Sequence, residues 1–196
     1  MLPYDDAEPT WANGYLWPHV LKLLPPPCRV FEIGCGNGAT ARMLSMRGYS
    51  VTGIDPSPSG IAIATRFESE RLRFEQGSTA DNLSRFGTFP VVISLEVIEH
   101  CASAREFMRA FSSVLAPGGL GIISTPYHGY LKNLLVVGLG GFDRHFDPLW
   151  EGGHLKFFSE RKLRLLFAEH ALQVEFLRVG RIPPIAKSVI AVLRKS

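Results

Sequence analysis

The 196 residues carry 46% hydrophobic and 20% charged side chains with a formal net charge of +3, the profile of a globular chain long enough to bury an α/β core without staples. So small a positive excess gives no electrostatic ground for a nucleic-acid partner. Cys28, Cys35 and Cys101 are odd in number and form no C-x-x-C pair, which suggests neither a disulfide frame nor a zinc site but reduced thiols in a cytoplasmic protein.

At the start, MLPYDDAEPTW has acids where a secretion signal carries basic residues, so export is not expected. Trp11, Tyr15, Leu16, Val20, Leu23 and Leu24 suit one short amphipathic helix, ended by Pro25, Pro26 and Pro27, that precedes the core rather than joining it. From Arg29, strand-like RVFEIG, SVTGID and LRFEQG alternate with helix-like ATARMLSMRG and SGIAIATRFE, the pattern of βαβ units on a parallel sheet. PVVISLEV is a continuous apolar run of the kind found in a central strand covered on both faces.

Ser103 and Glu106 then form a capping box, with Phe107, Met108, Phe111, Val114 and Leu115 on one helical face. Pro117, Gly118 and Gly119 stop that helix and turn the chain into the strand LGIIST. Residues 126–158 keep no sustained period and are longer than a typical connection, as an elaboration over a site would be. Their most apolar window, LLVVGLGGF at 134–142, is too short to span a bilayer. SERKLRLLFAEH reads as a helix, and LQVEFLRV and KSVIAVLR as strands around the turn GRIPP. The expected organisation is one domain: an N-terminal helix or lid at 1–27, a core at 29–126, a substrate cover at 127–158, and a C-terminal helix and hairpin at 159–196.

FEIGCGNGAT is the first segment with chemistry. Glycines between a strand and a helix let backbone approach a ligand, since no Cβ intervenes and positive φ costs little. Gly34, Gly36 and Ala39 fit a dinucleotide fingerprint, whereas Glu32, Gly34, Gly36 and Gly38 fit an acidic-x-G-x-G-x-G loop for S-adenosylmethionine. Asp55 lies 55 − 34 = 21 residues past Gly34, where an acid can accept hydrogen bonds from ribose hydroxyls; the alternative is a polar residue in a turn built with Pro56 and Ser57. Glu32 disfavours a pyrophosphate and suits a ligand with an ammonium and a sulfonium.

FEIGCGNG, VTGIDPS, ISLEVIEH and LAPGGLGIISTP, in this order and at these distances, resemble the successive motifs of class I S-adenosylmethionine-dependent methyltransferases over about Arg29 to Pro126. The nearest resemblance is to the small-molecule O-methyltransferases of the ubiquinone pathway. It implies an α/β, Rossmann-like, seven-stranded and mostly parallel sheet with helices on both faces, whose antiparallel last strand runs between two others. It also implies that Gly34, Gly36 and Gly38 cradle the methionine part, Glu32 faces its ammonium, and Asp55 takes the ribose. Ser78 or Thr79 stands where the family commonly has an acid facing adenine, with Asp81 slightly later, and Leu95 and Glu96 line the cleft near the transferring methyl. S-adenosylhomocysteine would be the product.

If the chain turns helical after the central strand, Glu96, Glu99 and His100 at i, i+3 and i+4 share a face, where ubiquinone-pathway relatives are thought to bind magnesium. Two carboxylates and one imidazole are an incomplete shell, so no metal is expected and magnesium stays a minor alternative. A hydroxyl acceptor needs a base. His154, in GGHLKFF, is the first choice by its similarity to a His-containing segment of those relatives, and His100, His128 and His145 are the others. Trp11, Tyr15 and Trp17 either close over the cofactor or pack as a plain helix on the sheet.

YLKNLLVVGLGGF, with Trp150 nearby, either caps the site or presents an apolar surface, which leaves an apolar or lipid-linked acceptor and contact with a membrane surface open. Oligomeric state is not readable. The rivals to a methyltransferase are an NAD(P)-dependent oxidoreductase, against which stands the absence of a Y-x-x-x-K pair, and a non-catalytic S-adenosylmethionine-binding module.

Overall fold

The computed structural model describes residues 4–142, 149 and 153–195; His145 and Trp150 lie outside them. In chain order the elements are α1 (Trp11–Leu23), β1 (Arg29–Ile33), α2 (Ala39–Ser45), β2 (Ser50–Asp55), α3 (Pro58–Ala64), β3 (Leu72–Gln76), β4 (Phe89–Leu95), α4 (Ala104–Val114), β5 (Leu115–Pro126), α5 (Tyr130–Gly138), α6 (Glu160–Ala168), β6 (Leu172–Val179) and β7 (Ser188–Lys195). Among the described residues the strands form one sheet in the order β3-β2-β1-β4-β5-β7-β6. β1 to β5 run parallel, and β7 pairs antiparallel with both β5 and β6. The strand order reverses between β1 and β4, so the C-terminal ends of these two strands frame the crevice where such sheets bind ligands.

Alternation along the central strands makes two cores, one on each face. Val91 and Ile93 of β4 pack with Val30, Leu120, Ile122 and Ile190 on the face of α2. Val92 packs with Phe31, Ile123 and the α4 residues Phe107, Met108 and Phe111 on the other. The helix starts follow their caps: the Ser103 hydroxyl accepts from the Glu106 amide (3.2 Å) and the Ser159 hydroxyl from the Lys162 amide (3.3 Å).

Two expectations are corrected. Helix α1 joins the core, because Leu16 and Val20 are fully buried in the cluster with Leu44 and Ile190; each such side chain contributes roughly 1.5–3 kcal/mol of burial. Helix α4 stops at Val114, ahead of Pro117, because Leu115 pairs with Phe89 and enters β5. Leu115 is fully buried as its place in the apolar pattern requires, but on a strand.

Candidate functional site

The loop after β1 is drawn over the end of β2, since Gly34 and Cys35 both donate to the Ile54 carbonyl (2.8 and 3.0 Å). Gly34 (φ 78°), Gly36 (φ 54°) and Gly38 (φ 77°) lie in the left-handed region, which a side chain there resists by about 1–2 kcal/mol per residue. Gly38 directly precedes α2, so the first amides of that helix open towards the loop.

Asp55 is buried and spends both oxygens on backbone: Oδ2 accepts from Gly36 N (2.9 Å) and Oδ1 from Ser57 N (2.8 Å). Burial raises its pKa while these two amides lower it. The turn role offered as the alternative for Asp55 is the one these bonds show, with one carboxylate fixing the glycine loop and the start of α3. Glu32 is 3% exposed. Burial first, then the Asp55 charge, push its carboxyl up to about 8, opposed by hydrogen bonds from Thr40 and the Ala41 amide. Among the described residues its Oε2 has no hydrogen-bond partner. Helix α1 braces this corner through Asn13 Nδ2 and Trp17 Nε1, which donate to Thr40 Oγ1 (3.1 and 3.2 Å).

A strap from Tyr4 to Thr10 lies across the same loop. Asn37 Nδ2 donates to the Asp6 and Glu8 carbonyls (3.0 and 2.8 Å), Arg42 donates to the Ala7 carbonyl, and Tyr4 N donates to Ser59 Oγ (3.0 Å). The Tyr4 ring fills the space left by two glycines: a Cβ on Gly36 would lie 2.6 Å from its Cζ, and one on Gly60 3.0 Å from its Cδ2. Burial, then the charges of Asp55, Cys35 and Glu32, hold the phenol well above its ordinary pKa.

At the end of β4, Glu96 adopts φ 55° without being glycine, a conformation that persists where surroundings impose it and that clusters at functional sites. Its Oε1 accepts from Ser124 Oγ (2.7 Å), its Oε2 from Ser188 Oγ (3.1 Å), and Ser188 Oγ shares a 2.8 Å hydrogen bond with the Tyr15 hydroxyl. The residue is partly exposed while its carboxyl is desolvated, which pushes it up to about 7 against the two serine hydrogen bonds. Lys132 Nζ, lowered to about 8 by burial, donates to the Tyr127 carbonyl (2.8 Å).

The trio expected from spacing does not converge. Only Ile98–His100 form a short 3-10 turn, and Glu96, set off by its positive φ, faces Ser124 and Ser188. His154 takes its place: Glu99, His100 and His154 each offer a ligand atom within 4.8 Å of the others. Gly153 O lies 3.1 Å from His100 Nδ1, and the Leu155 and Lys156 amides donate to Glu99 O (2.9 and 3.1 Å), which clamps the cover segment to the turn. A carboxylate with two imidazoles does not fit magnesium, which demands oxygen ligands in near-octahedral geometry. His128 is buried and packs edge-on against Phe157, ring centroids 4.9 Å apart.

Ser78 N and Oγ both donate to Asp81 Oδ2 (2.6 and 3.3 Å), closing their own turn after β3, and Thr79 hydrogen-bonds the Cys101 thiol. Leu95 pairs with Ser124 and packs on the core from the cleft end of β4. The expected cover helix forms as α5, but with no buried residue: Tyr130, Leu131, Leu134 and Val137 are exposed. Among the described residues no helix is long and apolar enough to cross a membrane. Tyr4, Asn37, Thr40, Ser124 and Ser188 were not anticipated; the sequence signal for the last two is a hydroxyl bordering a buried apolar run, Ser124 after Ile122 and Ile123 and Ser188 before Val189 and Ile190.

A family model described as a methyltransferase domain matches residues 12–175. A ubiquinone biosynthesis O-methyltransferase of Azorhizobium caulinodans is 38% identical over 101 residues, covering 50% of this chain and 40% of that protein. One of Rickettsia bellii is 37% identical over 152 residues, covering 76% and 63%. This chain spans between 40% and 68% of the length of such curated relatives. Among solved structures, an S-adenosylmethionine-dependent methyltransferase from Mesorhizobium loti superposes with a TM-score of 0.72 at 17% identity, over 95% of this chain and 99% of that one. A protein from Pyrococcus horikoshii gives 0.75 at 19%, over 98% and 95%. At these identities the structural likeness speaks for the fold.

Proposed function

The chain belongs to the methyltransferase domain family, and on that premise we propose that it moves the methyl group of S-adenosylmethionine onto a hydroxyl of a small-molecule acceptor. The observation that carries this is Glu32. A buried carboxyl with a free oxygen at the mouth of a glycine loop ionises readily only beside a cation, which the pyrophosphate of a dinucleotide does not bring. The ammonium of S-adenosylmethionine is that cation, with Gly34, Gly36 and Gly38 admitting its methionine part and Asp55 its ribose. Ser78, Thr79 and Asp81 border the adenine side, and Leu95 the methyl.

S-adenosylmethionine supplies a sulfonium-bound methyl for in-line displacement by the acceptor oxygen. The chain must align that oxygen and take its proton; alignment of this kind is worth roughly 7–11 kcal/mol of barrier. Glu96 is the group we assign to the proton: it follows the central strand, held by two serine hydroxyls, with its carboxyl raised to about 7 and so matched to proton exchange near neutral pH. The naming of the relatives as O-methyltransferases supports an oxygen acceptor, and the exposed apolar residues of α5 suit an acceptor with an apolar or lipid-linked body.

The test compares thermal stabilisation by S-adenosylhomocysteine with that by NAD and NADP, because a ligand bound only by the folded state raises stability by mass action. Stabilisation by S-adenosylhomocysteine alone is expected, followed by radiolabelled methyl transfer to a panel of phenols and lipid-linked hydroxyls. Stabilisation by NAD alone would overturn the proposal. Tight S-adenosylhomocysteine binding without transfer to any hydroxyl would favour a binding module instead.

A further inference from the structure

Three parts of the chain that lie far apart in sequence meet around Glu96 at one end of the sheet. Ser188 opens β7 opposite Pro126, the last residue of β5, and bonds Glu96 Oε2, so the turn between β6 and β7, residues 180–187, stands beside the end of β4. Gly180 seats that turn on α1: a Cβ there would lie 2.8 Å from Lys187 Cβ and 3.0 Å from Tyr15 Cδ2. From α5, Lys132 Nζ donates to the Lys187 carbonyl (3.4 Å) as well as to that of Tyr127 (2.8 Å). These contacts fix a mouth in front of Glu96 from α1, α5 and the β6–β7 turn.

The mouth is cationic. Lys187 Nζ lies over the rings of Trp11 (4.0 Å) and Tyr15 (5.2 Å), which hold an ammonium in place without neutralising it. Arg181 is exposed on the same turn. Burial lowers the Lys132 ammonium, Glu96 raises it and Arg181 lowers it again, so both charges act on it. Among the described residues the ion pairs are Arg85–Glu75, Arg105–Glu169 and Arg178–Glu160, none of which involves Lys132, Arg181 or Lys187. The acids on this side are Glu96, held by Ser124 and Ser188, and the fully buried Glu99, and burial pushes both carboxyls up, which thins the opposing charge.

Aligning a neutral hydroxyl calls for none of these three cations, whereas cations left unpaired at the mouth of a cleft draw an anion in and bind it through charge-assisted hydrogen bonds. We propose that the acceptor carries an acid group, a carboxylate or a phosphate, which Lys187 and Arg181 bind while its hydroxyl reaches Glu96. The inference rests on the methyltransferase reading and narrows it to acidic acceptors. Trp11, 61% exposed beside Lys187, offers a ring face to the body of such a molecule.

The experiment is a calorimetric titration of the full chain, saturated with S-adenosylhomocysteine, with two pairs of probes that each differ by one acid group: para-hydroxyphenylacetate against para-cresol, and glucose 6-phosphate against glucose. The two pairs tell a carboxylate from a phosphate. In at least one pair the acid should bind at least about tenfold more tightly than its neutral partner, as one charge-assisted hydrogen bond provides. Combining Lys187→Gln with Arg181→Gln should cut that preference to about threefold or less, while Lys22→Gln, exposed at the other end of α1, should leave it in place. Equal binding within both pairs, binding of neither acid, or a Lys22→Gln loss as large as that of the double variant would each overturn the proposal. The wild-type comparison decides it even where a variant does not fold. Thermal stabilisation by S-adenosylhomocysteine, measured on the same wild-type samples, reports the cofactor cradle separately: stabilisation without an acid preference overturns the acidic acceptor alone, and no stabilisation overturns the methyltransferase reading beneath it.

Discussion

The ring of Tyr4 lies against the Cα of Gly36, so that a Cβ added there would stand 2.6 Å from Cζ and 2.9 Å from Cε1 of the tyrosine. Gly36 also has φ 54°. Gly36→Ala thus meets two separable penalties, one from backbone conformation and one from the ring. We expect Gly36→Ala to lower unfolding free energy by about 2–3 kcal/mol. In a Tyr4→Ala background the same substitution should cost about 1 kcal/mol less, because only the backbone part remains. Denaturant unfolding of the four proteins measures this, and purely additive effects would mean that Tyr4 does not pack on the loop in solution.

The carboxyl of Glu32, raised to about 8 by burial and by Asp55, sets a pH dependence for cofactor binding. Below about pH 8 the group is protonated in the free protein, and a ligand that brings an ammonium beside it requires the ionised form. Binding then releases a proton, so affinity rises with pH, by at most roughly tenfold per unit, and levels off above about pH 8. Without ligand the sign is opposite. A carboxyl with a raised folded pKa favours the folded state below its unfolded pKa, and that contribution is lost as pH climbs from there to about 8. Calorimetric titration with S-adenosylhomocysteine between about pH 6 and 8 should show the rise in wild type and a flat profile in Glu32→Gln. A flat wild-type profile would remove the ammonium from Glu32.

These groups differ in how legible they were. The glycines, Asp55 and all seven strands announce themselves locally, through turn chemistry, spacing and apolar period. What local pattern does not carry is a contact across the chain: Tyr15 reaches Ser188 over 173 positions and Ser188 reaches Glu96 over 92. Helical spacing failed for Glu96, Glu99 and His100 because one residue at φ 55° rotates Glu96 away from the turn that holds the other two. His154 then arrives from a segment with no period of its own, fixed by amides on Glu99 O. Helix α1 read as peripheral because its two fully buried residues, Leu16 and Val20, are few, although they lie in the core.

The Tyr15–Ser188–Glu96 chain gives a test that needs no acceptor. The Ser188 hydroxyl stabilises the ionised carboxylate, and the carboxyl of Glu96 stands at about 7 despite that help. Ser188→Ala removes a hydrogen bond to a charged group, worth roughly 1.5–3 kcal/mol, so the midpoint should move up by about one pH unit or more. Tyr15→Phe acts one bond further away and should move it less. Carbon-13 NMR of labelled glutamate carboxyls follows the titration directly. An unmoved midpoint in Ser188→Ala would mean that the hydroxyl does not serve Glu96, and would weaken its assignment as the proton acceptor.

Asp55 separates loop architecture from ligand contact. Its two oxygens accept from Gly36 N and Ser57 N at 2.9 and 2.8 Å with no ligand present, so the residue matters to the free protein. Asp55→Asn keeps the size but turns one acceptor into an NH2 donor, which must then face a backbone amide. One hydrogen bond to a charged group is lost and one buried amide is left unsatisfied, an expected cost of about 2–3 kcal/mol in unfolding free energy without ligand. S-adenosylhomocysteine should also bind at least about tenfold more weakly, since a charge-assisted bond to a ribose hydroxyl is lost together with the loop geometry. Urea unfolding and calorimetry on the same variant read the two effects. A large affinity loss with unchanged stability would assign Asp55 to the ribose alone; a stability loss with unchanged affinity would leave it as the brace between Gly36 and Ser57 and move the ribose contact elsewhere.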